Sequence, residues 1–235
     1  MGEIAIVLGR FGSGKTEFAL NYACQGARQG KRVVLADLDL VNPYFTSGLQ
    51  AEQMQEQGVS VLASVPTDET VELPPEIYSV FGNKWDLAVL DIGGDPVGAR
   101  VLGSLFTQLE EKRNQIRTYY VVNVRRPMSN NTEEICMGIE KIERAARIRV
   151  DYLVNNTNLG KETDFALLQE GACTLKEVSR NTGIPVKYVM GLPTAFARTE
   201  SVESAELGTR FPIEQLNRPS WIDKTSRSVS WSKYE

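Results

Sequence analysis

Residues 9–16, GRFGSGKT, have the residue types and spacing of a phosphate-binding loop. Glycines let backbone N–H groups turn towards phosphate oxygens, and a helix that begins after them adds partial positive charge. Lys15 can bridge the β- and γ-phosphates of a nucleoside triphosphate, and the Thr16 hydroxyl can ligate Mg²⁺. The loop predicts a nucleotide site formed by Gly9, Phe11, Gly12, Ser13, Gly14, Lys15, Thr16 and Glu17.

Carboxylates follow two other apolar runs. Asp91 follows residues 87–90 and is predicted to serve Mg²⁺ through water or through another ligand, while Gly93-Gly94 allows close approach to a γ-phosphate. Asp37 and Asp39 end another run and are predicted to position the metal and an attacking water. Turn formation, helix capping and surface ion pairing are the alternative roles for these carboxylates. The predicted metal ligands are Thr16, Asp39 and Asp91, and the predicted catalytic residues are Lys15, Asp39, Asp37 and Arg10.

Composition excludes several other chemistries. The 235 residues carry a net charge of −4 and contain no histidine, which removes Ser-His and Cys-His catalysis and imidazole metal ligation. The three cysteines are widely spaced, so a disulfide framework or a paired-cysteine metal site has no support. Neither a signal peptide nor an apolar run of membrane-spanning length is evident. We therefore expect a cytoplasmic protein.

Strand and helix patterns alternate along the chain. This alternation predicts an α/β fold with a single doubly wound, mostly parallel seven-stranded sheet and helices on both faces. Polar groups follow the strand ends, where open α/β sheets place their ligands. We expect one nucleotide-binding domain over residues 1–217 and a Ser-rich extension over 218–235. The predicted strands lie near 4–8, 33–36, 59–63, 87–90, 119–122, 152–154 and 186–190, and the main helices near 15–29, 47–57, 97–113, 132–147 and 164–181.

Together these segments resemble the P-loop ATPases of the MinD/ParA/CobQ superfamily, also called the SIMIBI or deviant Walker A class. The resemblance covers about residues 1–195, with matching segments at 9–16, 34–39, 85–94, 153–156 and 191–193. It implies that Asp39 serves hydrolysis, that Asn155 reads the base, and that Leu192 and Pro193 lie beside adenine. It also implies a homodimer that closes around ATP and separates after hydrolysis.

The loop departs from the deviant motif at two positions. The family places Lys after the first glycine and Gly next, whereas this chain has Arg10 and Phe11. The family lysine reaches the partner's phosphate. Arg10 either does the same as an arginine finger or is an ordinary loop side chain.

Base choice is predicted from the segment Asn155-Asn156-Thr157-Asn158. It lacks the carboxylate with which guanine-specific relatives pair the guanine ring edge. An Asn amide can serve adenine by donating to N7 and accepting from the exocyclic amine. The sequence therefore favours ATP/ADP with Mg²⁺, and the alternative role for Asn155 is that of a turn former.

The function predicted from these features is a regulatory or accessory ATPase that acts on an unidentified protein client. The runner-up is a stand-alone ATP-dependent ligase of the dethiobiotin synthetase or cobyrinic acid synthase type, and the third candidate is a nucleotide-gated interaction module with negligible turnover. Membrane binding is disfavoured because the end of the chain lacks a basic amphipathic helix. Nucleic-acid binding is an open alternative that is not favoured, because basic residues near the end of a helix also suit a solvated face. The basic residues concerned are Lys141, Arg144, Arg147 and Arg149, together with Arg125 and Arg126 after a strand.

Overall fold

A computed structural model describes residues 2–39, 48–63, 73, 75–82, 84–94, 96–196 and 208–216. The predicted extension over residues 218–235 lies outside these ranges. No helix among the described residues combines the length and the apolar character that crossing a bilayer requires.

One parallel sheet forms the centre of the described structure, in the strand order β3-β2-β4-β1-β5-β6-β7-β8. The predicted fold class is therefore confirmed, although the described chain has eight strands where seven were predicted. Each strand apart from β8 is joined to the next through at least one helix, as parallel pairing requires. The strands are β1 (Glu3–Gly9), β2 (Val33–Leu38), β3 (Val59–Ala63), β4 (Leu87–Ile92), β5 (Ile116–Val122), β6 (Tyr152–Asn155), β7 (Val186–Gly191) and β8 (Thr209–Pro212).

The helices cover both faces of the sheet. They are α1 (Lys15–Arg28), α2 (Gly48–Glu56), α3 (Pro96–Ser104), α4 (Phe106–Glu111), α5 (Thr132–Ala146), α6 (Phe165–Thr182) and α7 (Pro193–Phe196), with a 3₁₀ helix at Pro75–Phe81. Side-chain caps fix two of the starts, because Asn131 accepts the Glu134 N–H and Asp164 accepts the Leu167 N–H, both at 2.9 Å.

The central strands are buried on both sides. In β1, Ile4, Ile6 and Leu8 pack into the core beneath helices α3 to α6, whereas Ala5 and Val7 pack into the core beneath α1 and α2. Successive side chains of a strand point to opposite faces, so two cores require a continuous apolar run. This explains why the strands read as unbroken apolar segments in the sequence.

The prediction of one continuous helix over residues 97–113 is wrong. The structure breaks it into α3 and α4 at Leu105, which is fully buried and whose N–H bonds the Leu102 carbonyl three residues back at 3.1 Å. Ser104 also donates its hydroxyl to the Val101 carbonyl at 2.7 Å. These local bonds compete with the helical pattern, and burial of Leu105 stabilises the break.

The eighth strand extends the sheet beyond β7. Residues after it are held against α1, since Asn21 Oδ1 accepts the Glu214 N–H and Glu17 Oε1 accepts the Leu216 N–H, both at 2.8 Å. Phe211 and Ile213 are buried in the core beneath α1. The chain after β7 therefore completes the face of the sheet on which the phosphate-binding helix lies.

Candidate nucleotide-binding site

The segment between β1 and α1 adopts the backbone of a phosphate-binding loop. Gly9, Gly12 and Gly14 have φ values of 147°, 74° and 90°, a region that only glycine enters readily. The Ser13 N–H bonds the Arg10 carbonyl at 3.1 Å, which closes the turn. Helix α1 then begins at Lys15, so its first N–H groups face the carboxyl edge of the sheet.

Lys15 and Gly94 meet inside this loop. Lys15 is 7% exposed, and its ammonium donates to the Arg10 carbonyl at 3.3 Å. A Cβ atom at Gly94 would lie 2.8 Å from Lys15 Nζ and 2.7 Å from Phe11 N, so no other residue fits there without displacing the loop. Gly94 therefore lies next to the lysine that the sequence assigned to the phosphates, and its contact with a γ-phosphate stays a prediction.

Two buried carboxyl groups lie behind the lysine. Asp37 and Asp91 are register partners on β2 and β4, and they are 1% and 3% exposed. The Thr16 hydroxyl donates to Asp91. Burial, followed by the charge of Asp37, raises the pKa of Asp91 from 3.8 to about 7, and the Thr16 bond and Lys15 only partly oppose this shift.

The donor set fits Mg²⁺ bound together with nucleotide phosphates. Asp91 Oδ1 is buried and accepts no hydrogen bond from the protein, so it is available to a cation or its water. Within the ranges described, no three Cys, Asp or Glu side chains cluster closely enough to hold a metal alone. Mg²⁺ does not need such a cage, because it is usually held by one or two carboxylates, substrate phosphates and water.

Asp39 lies on the same edge of the sheet. Its N–H donates to Asp37 Oδ1 at 3.1 Å, and a Cβ atom at Gly93 would lie 3.1 Å from Asp39 Oδ1. The Asp39 carboxylate is therefore beside the Gly93-Gly94 peptide that contacts Lys15. The structure thus brings together the side chains that the sequence assigned to phosphate, metal and water.

The two asparagines at the end of β6, Asn155 and Asn156, have different environments. Asn155 is fully buried, donates Nδ2 to the Leu168 carbonyl at 2.9 Å and accepts the Thr157 N–H at 3.0 Å. Asn156 instead donates Nδ2 to the Ser13 carbonyl at 2.7 Å. Asn156 is thus a loop-supporting residue that the sequence reasoning missed, and only its place in the Asn pair at a strand end hinted at it. Base reading by Asn155 stays a prediction.

Three further predicted nucleotide contacts have other neighbours in the structure. Glu17 accepts hydrogen bonds from Asn21 at 3.2 Å and from the Leu216 N–H at 2.8 Å, so its carboxylate anchors the chain that follows β8. Leu192 is half-buried against the core beneath α1, and Pro193 is exposed at the start of α7. Both residues follow β7, which pairs with β6. They therefore lie near the carboxyl ends of the strands, where the site is.

Arg10 turns back onto its own chain. Its guanidinium donates to the Tyr120 hydroxyl and lies over Gly138 of α5, where a Cβ atom would be 3.1 Å from Arg10 Nε and 2.6 Å from Tyr120 Oη. Burial raises the pKa of Tyr120 to about 12, although Arg10 opposes the shift. A contact between Arg10 and a partner's phosphate would require this internal bond to break.

Three of the six predicted basic residues are paired with acidic neighbours. Arg144 and Arg149 form ion pairs with Glu140 and Glu143, which agrees with a solvated helix face. Arg125 pairs with Glu170 on α6. Arg126 differs, because a Cβ atom at Gly12 would lie 3.5 Å from its Nε, so this side chain lies beside the phosphate-binding loop. No local pattern in the sequence indicates that placement.

Solved structures with a similar fold share little sequence with this chain. The FtsY protein of Thermotoga maritima is 17% identical, with a TM-score of 0.54 over 83% of this chain and 63% of its own. FtsY of Mycoplasma mycoides is 16% identical, with a TM-score of 0.54 over 80% of this chain and 59% of its own. The signal recognition particle 54 kDa protein of Aeropyrum pernix, solved with GDP, is 19% identical, with a TM-score of 0.52 over 80% of this chain and 41% of its own.

This chain therefore spans less than two thirds of each of these proteins, and the likeness concerns the fold. A search of curated proteins returned no match. The sequence matches the CobQ/CobB/MinD/ParA nucleotide-binding domain over residues 4–186, from β1 into β7. That range contains the phosphate-binding loop, both carboxylate strands and the asparagine pair. The chain belongs to the CobQ/CobB/MinD/ParA family of P-loop nucleotide-binding proteins.

Proposed function

We propose that this protein is a Mg-ATP-dependent regulatory switch that hydrolyses ATP and forms a homodimer in its ATP state. The observation that carries the proposal is the close approach of Gly94 to the phosphate-binding loop, where a Cβ atom would lie within 3 Å of both Lys15 Nζ and Phe11 N. A γ-phosphate bound at Lys15 lies against this peptide, whereas a diphosphate does not reach it. The position of Gly94 therefore depends on which nucleotide is bound.

Helix α3 would transmit that difference. It begins two residues after Gly94, and a Cβ atom at Gly98 would overlap the Gly93 carbonyl. α3 in turn packs against α5. A displacement of Gly93 and Gly94 would therefore reach α3 through the close backbone approach between Gly93 and Gly98.

Each side chain of the site has a role in hydrolysis. Lys15 and the loop N–H groups hold the phosphates, and Thr16 and Asp91 are the residues that would hold Mg²⁺. A Mg²⁺ ion held by these residues would supply positive charge to the phosphates. Asp39, held by its N–H bond to Asp37, is placed beside Gly93 to orient the attacking water.

Adenine is the proposed base. Residues 155–158 carry no carboxylate to pair with guanine, and the Asn158 amide is turned inward to the Asn156 carbonyl at 2.8 Å. GTP is the alternative to test, since the structurally similar Aeropyrum protein was solved with GDP. Membership of the CobQ/CobB/MinD/ParA family supports the dimer and a protein client as parts of the same proposal.

Sedimentation velocity tests the switch. Wild type, Lys15→Ala and the control Lys31→Ala are compared with ADP, with ATP and Mg²⁺, and with GTP and Mg²⁺. Lys31 is an exposed lysine before β2, at the opposite edge of the sheet from the site. We expect a dimer only with ATP, lost in Lys15→Ala and kept in Lys31→Ala. An oligomeric state that is the same with every nucleotide would refute the switch and favour the ligase. Dimerisation with ATP but without hydrolysis would favour the interaction module.

A further inference from the structure

A cavity of about 550 Å³ lies beside the phosphate-binding loop, between the loop that follows β5 and helix α5. This volume is within the range of pockets that hold small organic ligands, roughly 300 to 1,000 Å³. Its lining includes Gly9, Arg10 and Phe11 but none of residues 12–16, whose N–H groups face a bound phosphate. The cavity is therefore adjacent to the nucleotide phosphates and separate from their cradle.

The charged groups of the cavity are cationic. Its described lining contains Arg10 and Lys141 and no carboxylate, and neither cation forms an ion pair within the described residues. Two carboxylates of α5 next to Lys141 and Ile142 in sequence are engaged elsewhere, since Glu140 pairs with Arg144 and Glu143 binds Arg149 and the Val150 N–H. Glu134, one turn before Gly138, is outside the lining. The cavity therefore favours an anion.

The remaining wall is mainly apolar. Phe11 and Met128 are 77% and 58% exposed and both line the cavity, together with Ile142 and Ala145 of α5. Met128 also has a φ of 62°, which is unusual for a residue other than Gly, Asn or Asp. Strained backbone conformations of this kind concentrate at ligand sites. Phe11 thus presents a large exposed apolar side chain to the cavity.

We propose that this cavity binds a small amphipathic carboxylate. Arg10, pre-oriented by the Tyr120 hydroxyl, and Lys141 hold the carboxylate, and the hydrocarbon part packs against Phe11 and Met128. Gly138 makes room for this arrangement, since any side chain there would displace Tyr120 and Arg10. Binding does not require nucleotide turnover.

Isothermal titration calorimetry with octanoate, in the absence of nucleotide, tests the proposal. Octylamine has the same chain with the opposite charge, and hexanoate and 3-phenylpropionate vary the apolar part. We expect saturable binding of at least one acid, with one site per chain, and binding of octylamine weaker by at least about tenfold.

Three variants locate the site. Ala145→Trp fills the cavity from an exposed helix position and should weaken acid binding by about tenfold or more, and Lys141→Ala by about three- to tenfold. Arg144→Ala, on the same helix but outside the lining, should change it less than twofold. Binding of a fluorescent ATP analogue and the melting temperature are measured for each variant, so that loss of the nucleotide site or of folding is recognised.

Failure of all three acids to bind wild type would overturn the proposal. Equal binding of octanoate and octylamine, or equal binding of octanoate to wild type and a folded Ala145→Trp variant, would also overturn it. A folded Ala145→Trp variant that binds acid normally but no longer dimerises with ATP would instead identify the cavity as a surface covered by a second copy.

Discussion

The raised pKa of Asp91 makes the stability of the protein depend on pH in a defined window. Asp91 is buried beside Asp37, and its pKa is raised from 3.8 to about 7. The folded state therefore binds this proton more tightly than the unfolded state. The corresponding stability is fully present below pH 3.8 and is lost as pH rises through about 7. The shift corresponds to about 4 kcal/mol, of which about 3 kcal/mol is lost between pH 4.5 and 8.

Asp91→Asn isolates this contribution. The amide keeps the shape of the side chain and an oxygen that accepts the Thr16 hydroxyl, but it does not ionise. The free energy of unfolding is measured by urea titration in EDTA, without nucleotide, at several pH values. We expect the wild-type value minus the variant value to fall by about 3 kcal/mol between pH 4.5 and 8. Contributions from groups that do not interact with Asp91 cancel in that difference.

Asp86→Asn is the matched control. Asp86 is exposed, and its hydrogen bonds from Arg32 hold its pKa well below the usual range. Its stabilising effect is lost only as pH falls through the acid range, so its difference curve should be flat between pH 4.5 and 8. A flat curve for Asp91→Asn would refute the raised pKa of Asp91.

Two other substitutions test the supports of the site. Asn156→Ala removes the 2.7 Å bond to the Ser13 carbonyl and should destabilise the protein by about 1–3 kcal/mol and weaken ATP binding, measured by urea titration and by a fluorescent ATP analogue; unchanged ATP affinity would contradict its role in supporting the loop. Gly26→Ala places a Cβ 2.6 Å from Leu87 Cδ2, so it should lower stability by about 1–3 kcal/mol while leaving ATP affinity unchanged in the folded protein.

Much of the sheet could be predicted because its central strands are buried on both faces. The run at β1 and the turn at Gly9 specify a strand and its end from local composition alone. The same is true of β4, where Asp91 and Gly93 mark its carboxyl end. Since parallel strands bring these ends to one edge, the meeting of Lys15, Asp91 and Gly94 followed from the sequence without knowledge of any contact.

The elements that were missed depend on tertiary contacts. β8 has four residues and ends in proline, so its sequence shows no local strand pattern. It is stabilised by pairing with β7 and by burial of Phe211 in the core. The break at Leu105 arises where burial outweighs helix propensity. The bond from Asn156 to Ser13 joins residues 143 positions apart, and sequence alone gave no means to choose it over Asn155.

Arg10 and Phe11 acquire a common explanation from the structure. Their backbone belongs to the phosphate-binding loop, but their side chains line the neighbouring cavity. Gly94 touches Phe11 N and Lys15 Nζ and lines the same cavity, so one peptide is in contact with both sites. A ligand that shifts Gly94 from the cavity side therefore changes phosphate binding from the other. Because coupling between two binding events is reciprocal, octanoate should alter the affinity for ATP by the same factor as ATP alters that for octanoate. A factor of one, with octanoate leaving the affinity for ATP unchanged in calorimetry, would exclude this shared peptide as a two-state link.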